Sequence, residues 1–219
     1  LAGRMHLSAE DTDLARLIAL LHDIGRFEQL KRYDSFEPGT MDHAAYGVKV
    51  LFDEGMIRRF LPDDKWDSII YTAIAHHSDY ELPEISDPQT LLHAKLIRDE
   101  DKLDNCRVKL VDSTSTFINV SEEELGTQNI TQKVYETVFK NKCILSADRV
   151  TQMDYWVSYI VYFFDINFKE SFDIIAENDY LNRIIDRIPY SNPVTKEQME
   201  NIRVYMQNFI NSHTNGQSF

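Results

Sequence analysis

The sequence predicts an all-α protein, a single-domain helical bundle, and three observations carry that expectation. Apolar residues recur at helical spacing along most of the chain, the alternation that marks a half-buried strand is nearly absent, and only 7 glycines and 6 prolines punctuate 219 residues. A chain of this length can still bury one hydrophobic core. The expected layout is a core over 1–110 and a helical C-terminal extension over 111–219 packing on it. With 43% apolar and 27% charged residues, the composition is that of a folded globular protein, neither disordered nor fibrous.

The first helix is read from Leu14, Leu17, Ile18, Leu21 and Ile24, the i, i+3, i+4, i+7, i+10 stripe of a buried amphipathic face. Ser8 is placed to cap it, Glu10, Asp11 and Asp13 complement its dipole, and Gly25 is placed to end it. After a polar stretch containing Pro38 and Gly39, Thr40 or Asp42 caps a helix over about 41–60. Asp64 caps the next, with Trp66, Ile69, Ile70, Ala73, Ile74 and His77 on one face. The two prolines of YELPEISDPQ (80–89) stop it, and helical patterning resumes over 91–105. Over 110–146 the pattern weakens to a polar loop with short helices. An aromatic helical stretch follows over 147–177; its rings, from Tyr155 to Phe172, are expected to build core or a homodimer interface rather than a platform for a nucleobase. The last helix opens on a capping box, Thr195 with Gln198, ahead of Met199, Ile202, Met206, Phe209 and Ile210. The tail SHTNGQSF is expected to fray.

Net charge is −13, so a nucleic-acid polymer or an anionic membrane would be repelled. A small anionic substrate stays compatible with that field, because a bound metal is the largest charge in its own site. No run approaches the ~18 apolar residues of a membrane span, and no signal segment is visible. The two cysteines, Cys106 and Cys143, read as reduced thiols of a cytoplasmic protein.

The informative residues are polar ones in apolar helices. His22 and Asp23 close the first helix, about 100° apart, so both cannot point outward while the stripe points in. Burying either group without a partner costs a few kcal/mol, more if it is charged. His43 begins the next helix, the His76–His77 pair ends the third, and Asp101 lies in RDEDKLD on a helix with Leu92, Leu96, Ile97 and Leu103. Meeting at one end of a bundle, these side chains would make a nitrogen-and-oxygen metal site with one carboxylate able to bridge two ions.

The order His22-Asp23-Ile24-Gly25-Arg26, then His43, then His76–His77, then D-x-D-K-L-D over 99–104 resembles the HD-domain superfamily of metal-dependent phosphohydrolases. The likeness covers about residues 7–105 and is closest to the two-metal branch, which includes cyclic-dinucleotide phosphodiesterases. It implies a helical bundle of the HD-domain type. It implies that His22, Asp23 and Asp101 hold a first divalent transition metal, and that Asp23 bridges to a second held by His43, His76 and His77. The ions would be Fe, Mn, Co, Ni or Zn. Asp23 and Arg26 are the implied catalytic residues, Arg26 through a planar guanidinium that fits two phosphate oxygens. Asp104, Lys102 and Glu28 are expected beside the ligands, orienting them, while His93 is expected to pack.

The implied reaction is attack on a nucleotide or other small phosphate ester by a hydroxide formed from a metal-activated water. Some relatives hold two irons in the same ligand set and oxidise organic substrates with O₂. A non-catalytic nucleotide-binding helical module would keep the pocket without the chemistry. Arg26 and D-x-D-K-L-D are more like the hydrolase members. The family also carries a His ligand on a helix upstream of HD, whereas only 21 residues precede His22 and His6 falls in a turn read as surface. That ligand is therefore expected on a segment preceding Leu1, as a chain without an initiator Met favours, or the first metal site is incomplete.

Overall fold

The computed structural model describes residues 1–35 and 39–214, and those residues contain helices, turns and loops but no β-strand. Pro38, expected in the polar stretch, and the end of the tail, 215–219, lie outside the described residues. The protein is all-α. It divides into two compact units, Leu1–Asp101 and Lys102–Phe219.

In the first unit, α1 spans Ala9–Leu21 and is capped as the sequence requires: Ser8 Oγ accepts from the Asp11 N–H at 3.0 Å. The Asp11 carboxylate also accepts from Gln89 Nε2 at 2.8 Å and lies 3.2 Å from His93 Nε2. His93 is thus a packed, buried residue. The helix ends at Leu21, four residues before the expected stop. Gly25 instead begins α2, Arg26–Tyr33, a helix the apolar pattern did not announce. Its reason for being glycine is close approach. A Cβ there would fall 2.0 Å from the His43 carbonyl oxygen and 2.9 Å from the Gly47 nitrogen, so any side chain would push the His22–Asp23 turn off the following helix.

That helix, α3, spans His43–Val48, and Asp42 caps it by accepting from the Ala45 N–H at 2.9 Å. The single helix expected over 41–60 breaks into three pieces: α3, a π-helical turn over Lys49–Asp53, and a 3₁₀ turn over Met56–Arg59. The break before the 3₁₀ turn falls at Gly55, whose φ of 75° is left-handed. α4 spans Asp67–Ala75 with Trp66, not Asp64, at the cap position; the Asp64 carbonyl only closes the preceding turn onto the Asp67 N–H. α5, Pro88–Val111, starts at a proline behind Asp87, whose carboxylate accepts from the Thr90 N–H at 2.8 Å. Leu14, Ile18 and Leu21 of α1, Val48 and Leu51, Ile69, Ile70, Ala73 and Ile74 of α4, and Ile97 of α5 form this unit's core. Each fully buried aliphatic side chain of that kind contributes about 1.5–3 kcal/mol.

The second unit carries α6 (Thr114–Ile118), α7 (Glu122–Leu125) and α8 (Gln132–Val138), the short helices expected in the polar stretch. The aromatic segment is two helices, α9 (Gln152–Val161) and α10 (Lys169–Glu177), joined through a 3₁₀ turn at Tyr162–Asp165. Trp156, Phe163 and Phe172 are buried, with Tyr155, Tyr159 and Phe164 packed against the same core, so this stretch is core. A short α11, Tyr180–Asp186, precedes α12, Pro193–Thr214. The expected capping box at Thr195 does not form. The helix begins two residues earlier, Asn192 Oδ1 accepts from the Val194 N–H at 3.0 Å, and the Thr195 hydroxyl donates to the Gln128 carbonyl at 2.7 Å. The box that does form is Thr151 with Asp154, at the start of α9. No helix among the described residues is long and apolar enough to cross a membrane.

Candidate metal centre

Three chain segments of the first unit put imidazoles around one carboxylate. Asp23 stands in the turn after α1, held between the end of that helix and the start of α2 by the Arg26 N–H on its carbonyl at 2.9 Å. One of its oxygens, Oδ2, lies 3.7 Å from His22 Nε2. The other, Oδ1, lies 3.3 Å from His43 Nε2 and 3.6 Å from His77 Nε2. The two histidine nitrogens of that second side are 3.0 Å apart. Donor atoms of His22, Asp23 and His77 lie within 4.8 Å of one another. Asp101, on α5, comes to 3.9 Å from His22 Nε2. Ligands bound to one ion at ~2.1 Å sit about 3–4 Å from each other, and the donor set fits a divalent cation on that measure.

The histidines are aimed by backbone. His22 Nδ1 lies 2.8 Å from the Ala19 carbonyl and His77 Nδ1 lies 2.7 Å from that of Ile74, each three residues back at a helix end. A carbonyl can only accept, so in the neutral rings Nδ1 carries the hydrogen and Nε2 keeps its lone pair for the centre. His77 is buried at 3% exposure and His43 nearly so, which fixes both rings by packing as well. The rings of His22 and His43 each meet the His77 ring edge-on, with centroids 5.0 Å apart.

Electrostatics keep the carboxylates ionised. Burial alone would raise Asp23, but the imidazoles of His43 and His77 against its Oδ1 and the charges of Arg26 and His22 hold it far below the usual carboxylate range. For Asp101, burial likewise works upward and is outweighed by the nearby His22 imidazole and by the pull of His77, so its pKa is lowered. Burial would lower His22; the nearby Asp101 carboxylate, the Asp23 charge and the Ala19 carbonyl outweigh it, and its pKa is raised above 6.5. A site that draws a proton onto His22 in this way has a surplus of negative charge to offer a cation.

Arg26 donates from Nε to Asp23 Oδ1 at 3.1 Å and from Nη1 to Gln29 Oε1 at 3.2 Å, with a third of its side chain exposed. Gln29, buried under α2, also donates to Thr40 Oγ1 at 2.8 Å. Sequence reading missed this glutamine; the signal was its place one turn after Arg26.

The other expected site residues have partners of their own. His76 turns Nδ1 to Asp79 Oδ2 at 2.6 Å and is not in the group whose donor atoms meet within 4.8 Å. Glu28 pairs with Arg32 at 2.6 Å, Asp104 accepts from Arg107 Nε at 2.7 Å, and Lys102 Nζ lies 2.8 Å from Asp165. His6 is exposed, as read.

Comparison with known proteins gives one family match, to the HD domain, over residues 1–106. No curated protein and no solved structure matches the chain. The matched segment contains the HD pair of His22 and Asp23, the His43 and His77 that face it, and Asp101. HD domains bind divalent metals and are typically hydrolytic. The HD-domain family thus matches residues 1–106, just under half of the chain, and the His/Asp cluster lies inside the matched stretch.

Proposed function

We propose that the protein is a metal-dependent phosphohydrolase or phosphodiesterase acting on a nucleotide or another small phosphate ester. The observation that carries this reading is the Asp23 carboxylate, whose two oxygens are divided between His22 on one side and His43 and His77 on the other. Two divalent transition-metal ions would be held here, one by His22, Asp23 and Asp101 and the other by Asp23, His43 and His77. His76, on the adjoining turn, would complete the second set by reorienting from Asp79. When bound, such ions supply Lewis acidity, which brings the pKa of a water toward neutrality and offsets charge on a phosphate.

The chain's own residues do the rest. Asp23 and Asp101 arrive ionised and need no deprotonation. The backbone carbonyls of Ala19 and Ile74 keep the Nε2 atoms of His22 and His77 pointed at the centre. Arg26 is tied along one edge to Asp23 and Gln29, which orients its guanidinium to take phosphate oxygens beside the centre.

The test is hydrolysis in the presence of Mn²⁺, Fe²⁺, Co²⁺ or Ni²⁺, read as phosphate or nitrophenol release from nucleotides and p-nitrophenyl phosphate and as linear product from cyclic dinucleotides. Turnover should require metal, vanish in Asp23→Asn and fall about 100-fold in Arg26→Gln. Metal-loaded protein that hydrolyses none of them would exclude the reading.

A further inference from the structure

Arg98 lies on α5, one turn before Asp101, and is among the largest fully buried side chains, at 2% exposure. Taking a guanidinium out of water is costly unless its N–H groups are hydrogen-bonded. Its Nη1 donates to three main-chain carbonyls: Asp79 at 2.7 Å, His76 at 3.0 Å and His77 at 3.3 Å. All three belong to the turn that follows α4 and presents the histidine pair. Residues three apart on a helix share a face, so the element that brings Asp101 to His22 is also the one that grips the turn carrying His77.

We infer that Arg98 is a positioning residue of the metal centre. It holds the 76–79 turn in register with Asp101, and through that turn it sets His77 Nε2 against Asp23 and His43. The inference rests on the reading of this cluster as a metal centre. A simpler role would be to neutralise the C-terminal end of α4, a contribution of about 0.3–1 kcal/mol that alters stability and leaves metal binding alone. The geometry favours positioning, because one of the gripped carbonyls is that of His77 itself.

Arg98→Lys keeps the charge but replaces a planar fork with a single ammonium. Co²⁺ titrations followed by visible absorption, with thermal melts alongside, should show a folded variant that binds Co²⁺ roughly 10- to 100-fold more weakly with shifted d–d bands. A folded variant with wild-type cobalt affinity and spectrum overturns the inference. Imidazole ¹⁵N shifts supply a metal-free reading: His77 should be fixed as the Nδ1–H tautomer in the wild type and become a tautomer mixture in Arg98→Lys. Wild-type protein that takes up no cobalt would defeat the metal-centre reading, whereas unchanged His77 shifts in the folded variant would defeat the role of Arg98. If Arg98→Lys does not fold, Arg98→Gln takes its place. If neither folds, Zn²⁺ added to the wild type must move the Arg98 Nη and 76–79 carbonyl resonances, and resonances that stay put overturn the proposal.

Discussion

At the scale of single residues, Asp23 concentrates the chemistry and Gly25 makes it possible. Asp23 accepts from Arg26 on Oδ1, with the His43 and His77 imidazoles beside the same oxygen and His22 beside Oδ2, and burial loses to these partners, so its pKa is held far below the usual range. Gly25 lies two residues away and does no chemistry. Its missing Cβ admits the His43 carbonyl, and with it the helix that carries the His43 ring to Asp23. Gly25→Ala should therefore destabilise the fold by about 3 kcal/mol, read from urea melts, and weaken metal binding in whatever fraction folds. A Gly25→Ala protein as stable as wild type would show that the close approach is not present in solution. The residue types at the centre were legible in the sequence, since only imidazoles and carboxylates on apolar helices need such an explanation. Which of two neighbouring histidines faces Asp23 was not. Adjacent histidines such as His76 and His77 are equivalent on paper, and a hydrogen bond to Asp79 separates them in the structure.

At the scale of elements, caps were readable where the side chain reaches its own helix and unreadable where the tertiary structure claims it. Ser8 and Asp42 cap α1 and α3 as expected. Thr195 looked like the same device, but its hydroxyl is taken by the Gln128 carbonyl. α2 escaped notice because RFEQLKRY buries only Gln29 against the core and leans on local pairs such as Glu28–Arg32. Gly25 misled for a related reason: glycine after an apolar stripe usually marks a left-handed stop, and here φ is −68°. The attachment of α1 to α5 runs through Asp11, which serves Ser8, Gln89 and His93 together. The Ser8 and Gln89 hydrogen bonds lower the Asp11 pKa below 3.8, so its ionised form stabilises the folded chain above that pH. That contribution is lost as pH falls through the lower, folded value. Asp11→Ala should cost about 1 kcal/mol at pH 7, and its gap to wild type in urea midpoint should close as pH drops toward 3. A gap that widens on acidification would reverse the assignment.

At the scale of the molecule, a net charge of −13 surrounds a centre that the proposed function assigns to cations and, through them, to a phosphate anion. The field draws divalent ions in and repels the substrate. Raising ionic strength from about 20 to about 200 mM should thus lower KM for the phosphate ester a few-fold, as screening removes the repulsion. A KM that rises with salt would mean that local attraction by Arg26 outweighs the global charge. Composition announced this charge and apolar periodicity the all-α class; neither could convey the distances at which His22, Asp23, His43, His77 and Asp101 meet from segments far apart in the chain. The whole account depends on that convergence having a cation as its purpose. The direct test is an anomalous difference map from crystals grown with Mn²⁺ or Zn²⁺. The account predicts a peak at about 2.0–2.2 Å from Nε2 of His22 or His77 and from an Asp23 oxygen; a metal-replete crystal with no peak among these atoms would contradict it.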